Sequence, residues 1–338
     1  MKKFLQILPI TIIAAIITFS CQKEIDIKSD PLDEQLVVEG KIIKGESPEI
    51  ILTKTGFYYD PIDANTIENL YIHNASVSIS NGATQIQLVE KCDINADELF
   101  ESNKEIFAES AGTPVAVIEA FYYSLSDAQQ DSLILSYYPD IPQSCKYLVP
   151  NGITFIGEEG KTYNLDIVTQ DNKVLSSSTT IPLGFYIDSL SYEYNEEYPG
   201  YAKVLVNLTF PPNQNLGKYV KFGSKKQGED YFFGGIGGSV YSDAAFAGST
   251  NLSLPLLYNS NDDDDIPFGA RGNFLKGDTA SLIWMNIDRA TYDFLYSVEN
   301  DGGASPFSSP TKPQSNIEGG LGIWGGYNIS EYSVYIPL

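Results

Sequence analysis

The sequence predicts a mainly β protein in two parts. Residues 35–184 read as a β-sandwich with a partly helical insert at 93–144, and residues 185–338 as a second β-rich sandwich or barrel-like domain with one short helix. Three observations predict it. Short runs alternate apolar and polar residues with a period of two. Gly, Asn, Asp and Pro separate these runs. Patterns resembling helix starts occur at three places, two of them within 93–144. A length of 338 residues fits about two domains, and 43% hydrophobic residues can fill a sizeable core.

The first element is a targeting segment. Lys2 and Lys3 precede an apolar run from Phe4 to Phe19, a length suited to a secretory signal rather than a full membrane span. Ser20-Cys21 then looks like a bacterial lipobox, in which the cysteine is acylated and becomes the mature N-terminus; Thr18 stands where Leu is usual. The alternative is an ordinary signal peptide with an incidental cysteine. Residues 1–20 are read as the signal peptide and 21–34 as a lipidated polar tether. No later stretch approaches eighteen uninterrupted apolar residues.

Strands follow. Gln35 to Ile43 and Glu49 to Thr55 are the first two candidates. Ser76 to Val89 reads as a hairpin turned at Asn81-Gly82 in a two-residue type I′ loop. That register opposes Ser80 to Ala83, Ile79 to Thr84 and Val77 to Ile86, and places Val77, Ile79, Ile86 and Leu88 on one face. Tyr163, Leu165 and Ile167 alternate with polar neighbours, and a turn near Asp171-Asn172 leads into Val174 to Thr180. Six or seven short strands over this length fit a sandwich of immunoglobulin or transthyretin type.

The insert carries ten acidic residues and Lys104 as its one base. Asn95 with Glu98, and Ser126 with Gln129, resemble capping boxes ahead of apolar stripes, so it reads as a partly helical flap. Beyond it Leu190, Tyr192 and Tyr194, then Val204, Val206, Leu208 and Phe210, resume the alternation. Tyr219 to Phe222, Asp230 to Phe233, Ser281 to Ile287 and Glu331 to Ile336 continue it. Ile283, Trp284 and Met285 are apolar on both faces, which predicts a strand covered on both sides. Asp288 caps a helix to about Val298 with Tyr292, Leu295 and Tyr296 on its inward stripe.

Charge narrows the function. Lys and Arg number 21 against 44 Asp and Glu, a net charge of −23. Removing residues 1–20 takes away two lysines and no acid, leaving 19 bases against 44 acids, or −25. Phosphate neutralisation would be repulsive, so nucleic acid is excluded as a partner. One histidine, His73, argues against multi-histidine metal sites and proton-shuttling triads. No cofactor, no metal site and no enzymatic activity is expected. After Cys21, two cysteines remain, Cys92 and Cys145; in an exported chain a disulfide between them is expected, closing 52 intervening residues for about 4 kcal/mol. Two buried free thiols are the alternative.

Several motifs invite stronger readings. Gly320-Leu321-Gly322-Ile323-Trp324-Gly325 has the letters of a dinucleotide loop, but a strand and not a helix follows, so a glycine-rich bend between antiparallel strands is expected. Asp262 to Asp265 lacks calcium-loop spacing and reads as a solvated loop. Paired carboxylates of glycosidase type would be invisible in sequence. The 23 tyrosines, several in pairs such as Tyr58-Tyr59, Tyr122-Tyr123 and Tyr137-Tyr138, offer contact area for a peptide or glycan ligand, or pack the core.

Taken in order, Cys21-Gln22-Lys23-Glu24-Ile25, Leu36 to Ile42, Gly160 to Leu165, Ile181-Pro182 ahead of Ile187-Asp188-Ser189-Leu190, and Ser315 to Gly326 resemble a family of Bacteroidetes outer-membrane lipoproteins of unassigned function, often encoded beside TonB-dependent receptors. The acidic insert departs from that pattern. The resemblance implies an immunoglobulin-like N-terminal part, a β-rich C-terminal part and display at the cell surface; it supplies no catalytic residues. The charges after Cys21 look like an export signal of that phylum, and Asp131-Ser132-Leu133, Asp188-Ser189-Leu190 and Asp278-Thr279-Ala280 are similar to its O-glycosylation tripeptide. The expected function is a substrate-binding or accessory subunit of a TonB-dependent transporter, held in outer-membrane lipid through acylated Cys21. The alternatives are an adhesin or envelope scaffold, and a carboxylate-based hydrolase.

Overall fold

The computed structural model describes residues 34–56, 64–139, 141–209, 217–229, 231–234, 238–246, 249–258, 266–300 and 313–338. Cys21 and its tether, Tyr58-Tyr59, Phe210 and Asp262 to Asp265 lie outside the described residues. The protein is mainly β, with several sheets and few helices.

Before the insert come β1 (Leu36–Ile43), β2 (Glu49–Lys54), α1 (Ala64–Glu68), β3 (Ser76–Ser80), β4 (Gln85–Gln87) and β5 (Val89–Asp93). The insert contributes α2 (Ala96–Ala111), α3 (Val115–Tyr122) and α4 (Asp127–Tyr137). Then follow β6 (Ser144–Leu148), β7 (Thr162–Val168), β8 (Val174–Thr180), β9 (Ser189–Tyr194), β10 (Tyr201–Thr209), β11 (Tyr219–Lys226) and β12 (Val240–Ser242). The chain continues with β13 (Asn251–Leu256), β14 (Phe274–Leu275), β15 (Thr279–Ile287), α5 (Arg289–Glu299) and β16 (Leu321–Tyr335).

One eight-stranded sheet runs β12-β11-β15-β16-β1-β2-β6-β5. Its middle strand, β16, changes partners halfway. Residues Leu321 to Tyr327 pair in parallel with Val37 to Ile43 of β1, and Tyr327 to Tyr335 pair antiparallel with Ile287 to Thr279 of β15. A strand of 15 residues spans roughly 50 Å, long enough to serve two cores in turn.

The first core lies between β1, β2 and β6 and the sheet β4-β3-β7-β8. Val38, Ile50 and Leu52 meet Val77, Ile79, Leu165 and Ile167, and Trp324 of β16 is buried among them. The second lies between β11 and β15 and the sheet formed by β13, β10, β14 and β9, with Val204, Leu208, Leu282 and Trp284 at its centre. Trp324 faces one core and Tyr332 and Val334 the other, an even spacing that sets both cores on one side of β16. The large sheet takes strands from both sides of residue 184, and the first core takes Ile317 and Trp324 from beyond it.

Buried polar groups fix the crossing. Asn286 Oδ1 accepts from the Phe185 N–H at 2.9 Å, and Asn328 Nδ2 donates to the Pro182 carbonyl at 3.2 Å. Asp288 caps α5, accepting from the Thr291 N–H at 2.8 Å, while its second oxygen accepts from the Thr179 hydroxyl (2.7 Å) and the Thr180 N–H (3.1 Å) at the end of β8.

Four sequence expectations need correcting. The β3–β4 register opposes Ser80 to Gln85 and Ile79 to Ile86, so the loop has four residues instead of two. Gly82 has positive φ, while the Asn81 side chain accepts from the Ala83 and Thr84 N–H groups and holds the wider turn. A slip of two preserves parity, so Val77, Ile79, Ile86 and Leu88 are all buried as one face. Secondly, Asn95 lies in the left-handed region and makes no side-chain cap bond, its amide meeting the Glu98 carboxylate instead.

Thirdly, Gly320 to Gly325 is not a bend. From Leu321 it is strand, and its glycines permit close approach: a Cβ on Gly322 would fall 1.9 Å from the Val38 carbonyl oxygen. Lastly, Tyr296 is exposed, not inward. Asp230 lies outside the described residues, and Phe233 makes an isolated bridge to Ser224. Among the described residues no helix is long and apolar enough to cross a membrane.

Candidate functional site

The two cores occupy one face of the large sheet, so the odd positions of β1 and β16 point the other way. There Val37, Glu39 and Lys41 stand beside Ile323 and Tyr327, and α5 lies over them with Phe294, Leu295 and Val298. A groove of about 440 Å³ remains between helix and sheet, with Lys221 of β11 and Glu49 and Ile51 of β2 also on its wall.

Its charges are of both signs. Glu49 is held by Lys41 at 3.6 Å and Lys146 at 3.2 Å. Glu39 and Lys221 have no ion pair among the described residues, and each is available to a ligand. Burial pushes the Tyr327 phenol up to about 12, helped by the negative potential of Asp288 and Glu39. The lining can hold a charged, partly apolar ligand. Glu39 and Glu49 sit diagonally on adjacent strands, and the lysines on Glu49 make it an ion-pair partner, unlike a hydrolytic acid.

A second cluster forms at the foot of the insert. Cys92 and Cys145 are direct partners in the β5–β6 register and are joined in a disulfide. The insert above it forms three helices on their own core, in which Phe100 stacks on Tyr122 at 3.8 Å and Phe107 and Ile134 are buried. Tyr122 packs and Tyr123 is exposed, as a pair on a strand would do, but here because they close a helix.

Beside the disulfide, Glu90 Oε1 lies 2.5 Å from His73 Nδ1, and Glu90 Oε2 accepts from the Asn74 N–H at 2.8 Å. The Tyr147 hydroxyl accepts from the Ala75 N–H (3.0 Å) and donates to the Ile72 carbonyl (2.8 Å), pinning the loop that carries His73. A cleft of about 210 Å³, lined by Glu68, Tyr71, His73, Gln143 and Cys145, opens onto the cluster.

The model of a family described as a domain of unknown function, DUF4249, matches residues 22–333. The chain belongs to that family. No curated protein matches it. The DUF4249 match covers the first core, the helical insert and all of the second core but Val334 and Ile336, so groove and cluster both fall within it. Sequence reasoning paired Cys92 with Cys145 but considered His73 apart from them, and missed the convergence of all three with Glu90. It missed the groove as well, because Glu39, Lys41 and Tyr327 look like ordinary outward positions of alternating strands until α5 is laid over them.

Proposed function

We propose that this DUF4249 protein is a surface-exposed outer-membrane lipoprotein, anchored through acylated Cys21, that acts as a substrate-binding or accessory subunit of a TonB-dependent transporter. The observation that carries the binding role is the groove under α5, with unpaired Glu39 and Lys221 and an apolar floor. Opposite charges over an apolar strip suit a short peptide better than a glycan, which would call for flat aromatic platforms. The lipobox at Ser20-Cys21 and the family resemblance support the anchor and the partner.

Co-purification from gently solubilised outer membrane tests the reading: the transporter is recovered with the lipoprotein, and a Glu39→Ala/Lys221→Ala variant stays in the complex but lowers uptake. Recovery of the lipoprotein alone refutes the partnership. Unchanged uptake with lost surface attachment in a deletion strain would put the adhesin reading in its place.

A further inference from the structure

His73, Glu90, Cys92 and Cys145 each offer one ligand atom, and these four atoms all lie within 4.8 Å of one another. In the structure the two sulfurs are bonded to each other, which removes both from coordination. We propose that reduction of the Cys92–Cys145 disulfide opens a four-ligand site for a zinc-type divalent metal, held by two thiolates, the His73 imidazole and the Glu90 carboxylate.

The donor set suits that class of ion. Two thiolates, one imidazole and one carboxylate are all zinc ligands, and a tetrahedral zinc holds such atoms roughly 3.3–3.8 Å apart. The four atoms already lie within 4.8 Å of one another, so the ion needs only that the sulfurs separate once their bond is broken and that His73 Nδ1 and Glu90 Oε1, now at 2.5 Å, move apart to admit it. The supporting shell is already built. The Tyr147 hydroxyl grips the loop on both sides of His73 from a position two residues beyond Cys145, and the Asn74 N–H orients the Glu90 carboxylate. The cleft over Cys145 and His73 gives a small reductant and an ion a way in.

The chemistry balances with a dithiol as reductant. Its two sulfurs become a disulfide, and its two electrons and two protons convert the Cys92–Cys145 bond into two thiols. Binding of the dication then expels both thiol protons, so affinity falls at acid pH. The consequence is mechanical: a sulfur–metal–sulfur link replaces the sulfur–sulfur link between β5 and β6, and the helical insert keeps its footing in either redox state.

Cobalt(II) is the probe. The full-length protein is reduced with a phosphine, freed of reductant without oxygen and titrated. One cobalt per chain with sulfur-to-cobalt charge-transfer absorption is expected, and none in the oxidised protein. His73→Ala and Glu90→Gln, whose folding is checked by circular dichroism, should each weaken binding on the order of tenfold or more. Limited proteolysis of the insert should be as slow in the reduced, metal-loaded protein as in the oxidised one. Absence of the charge-transfer band after reduction overturns the proposal. So does equal affinity in both variants, which would mean two thiolates acting alone, and so does equal binding by the oxidised chain.

Discussion

A fragment comprising residues 34–184, which holds every residue of the first core except Ile317 and Trp324, should not fold. The structure supplies the reason and the magnitude. Trp324 is fully buried in that core, its Nε1–H donating to the Tyr163 carbonyl at 3.0 Å, and it comes from a strand the fragment lacks. Burial of about 200 Å² of indole at about 25 cal/mol per Å² is worth roughly 5 kcal/mol. Seven residue pairs between β1 and β16 disappear with it, and net backbone hydrogen bonds of about 1 kcal/mol each bring the loss to the order of 10–12 kcal/mol. Since a domain's whole stability is about 5–15 kcal/mol, the fragment is left near or below zero. Far-UV circular dichroism with urea titration reads this directly. A peptide of residues 313–338 added in trans should restore a cooperative transition, and the same peptide with Trp324→Ala should not. A fragment that unfolds cooperatively by itself, at the midpoint of the intact protein, would refute the shared-strand argument.

Two further outcomes follow from single groups. Asp288→Ala removes the cap of α5, worth about 1 kcal/mol, and also leaves the Thr179 hydroxyl and Thr180 N–H without their acceptor, so a loss of about 2–3 kcal/mol in urea is expected; a loss no larger than a surface cap would mean the tie to β8 adds nothing. For Tyr327, the folded pKa of about 12 lies above the ordinary phenol value near 10. Its stabilising contribution is therefore whole below pH 10 and lost as pH rises through about 12. Subtracting the alkaline absorbance titration of Tyr327→Phe from that of the parent should leave a step near pH 12, and a step near pH 10 would show the phenol in free contact with water.

Local pattern carried much of this fold in readable form. The alternation in Val204, Val206 and Leu208, or in Tyr163, Leu165 and Ile167, states which face is buried, and all six are. Even the mistaken hairpin register preserved its faces, because strand periodicity forgives an error of two and not of one. What local pattern could not carry was pairing at long range. The partnership of β1 with β16 joins residues at opposite ends of the described chain. Glycine-rich letters at 320–325 favour a bend on propensity alone. They become a strand because Trp324 must enter the first core, and because Gly40, opposite it, clears the space: a Cβ there would come 2.8 Å from the indole.

The same economy of side chains explains why the groove exists where it does. On the odd face of β16 the sequence runs Ile323, Gly325, Tyr327, and a Cβ at Gly325 would lie 2.8 Å from the Tyr327 hydroxyl. The ring of Tyr327 lies back across the glycine, which draws the phenol down into the floor and leaves the space above it unfilled. A helix seated on a sheet closes against large apolar residues. Here α5 finds Ile323 at one point and a hollow beside it, with Glu39 and Lys41 at the rim of the hollow because an open sheet face is where charges are tolerated. The residue that admits β16 to the middle of the sheet and the residue that hollows its outer surface are thus of one kind. The glycine-rich segment lets a tryptophan into a core on one side, and on the other it leaves room for a ligand.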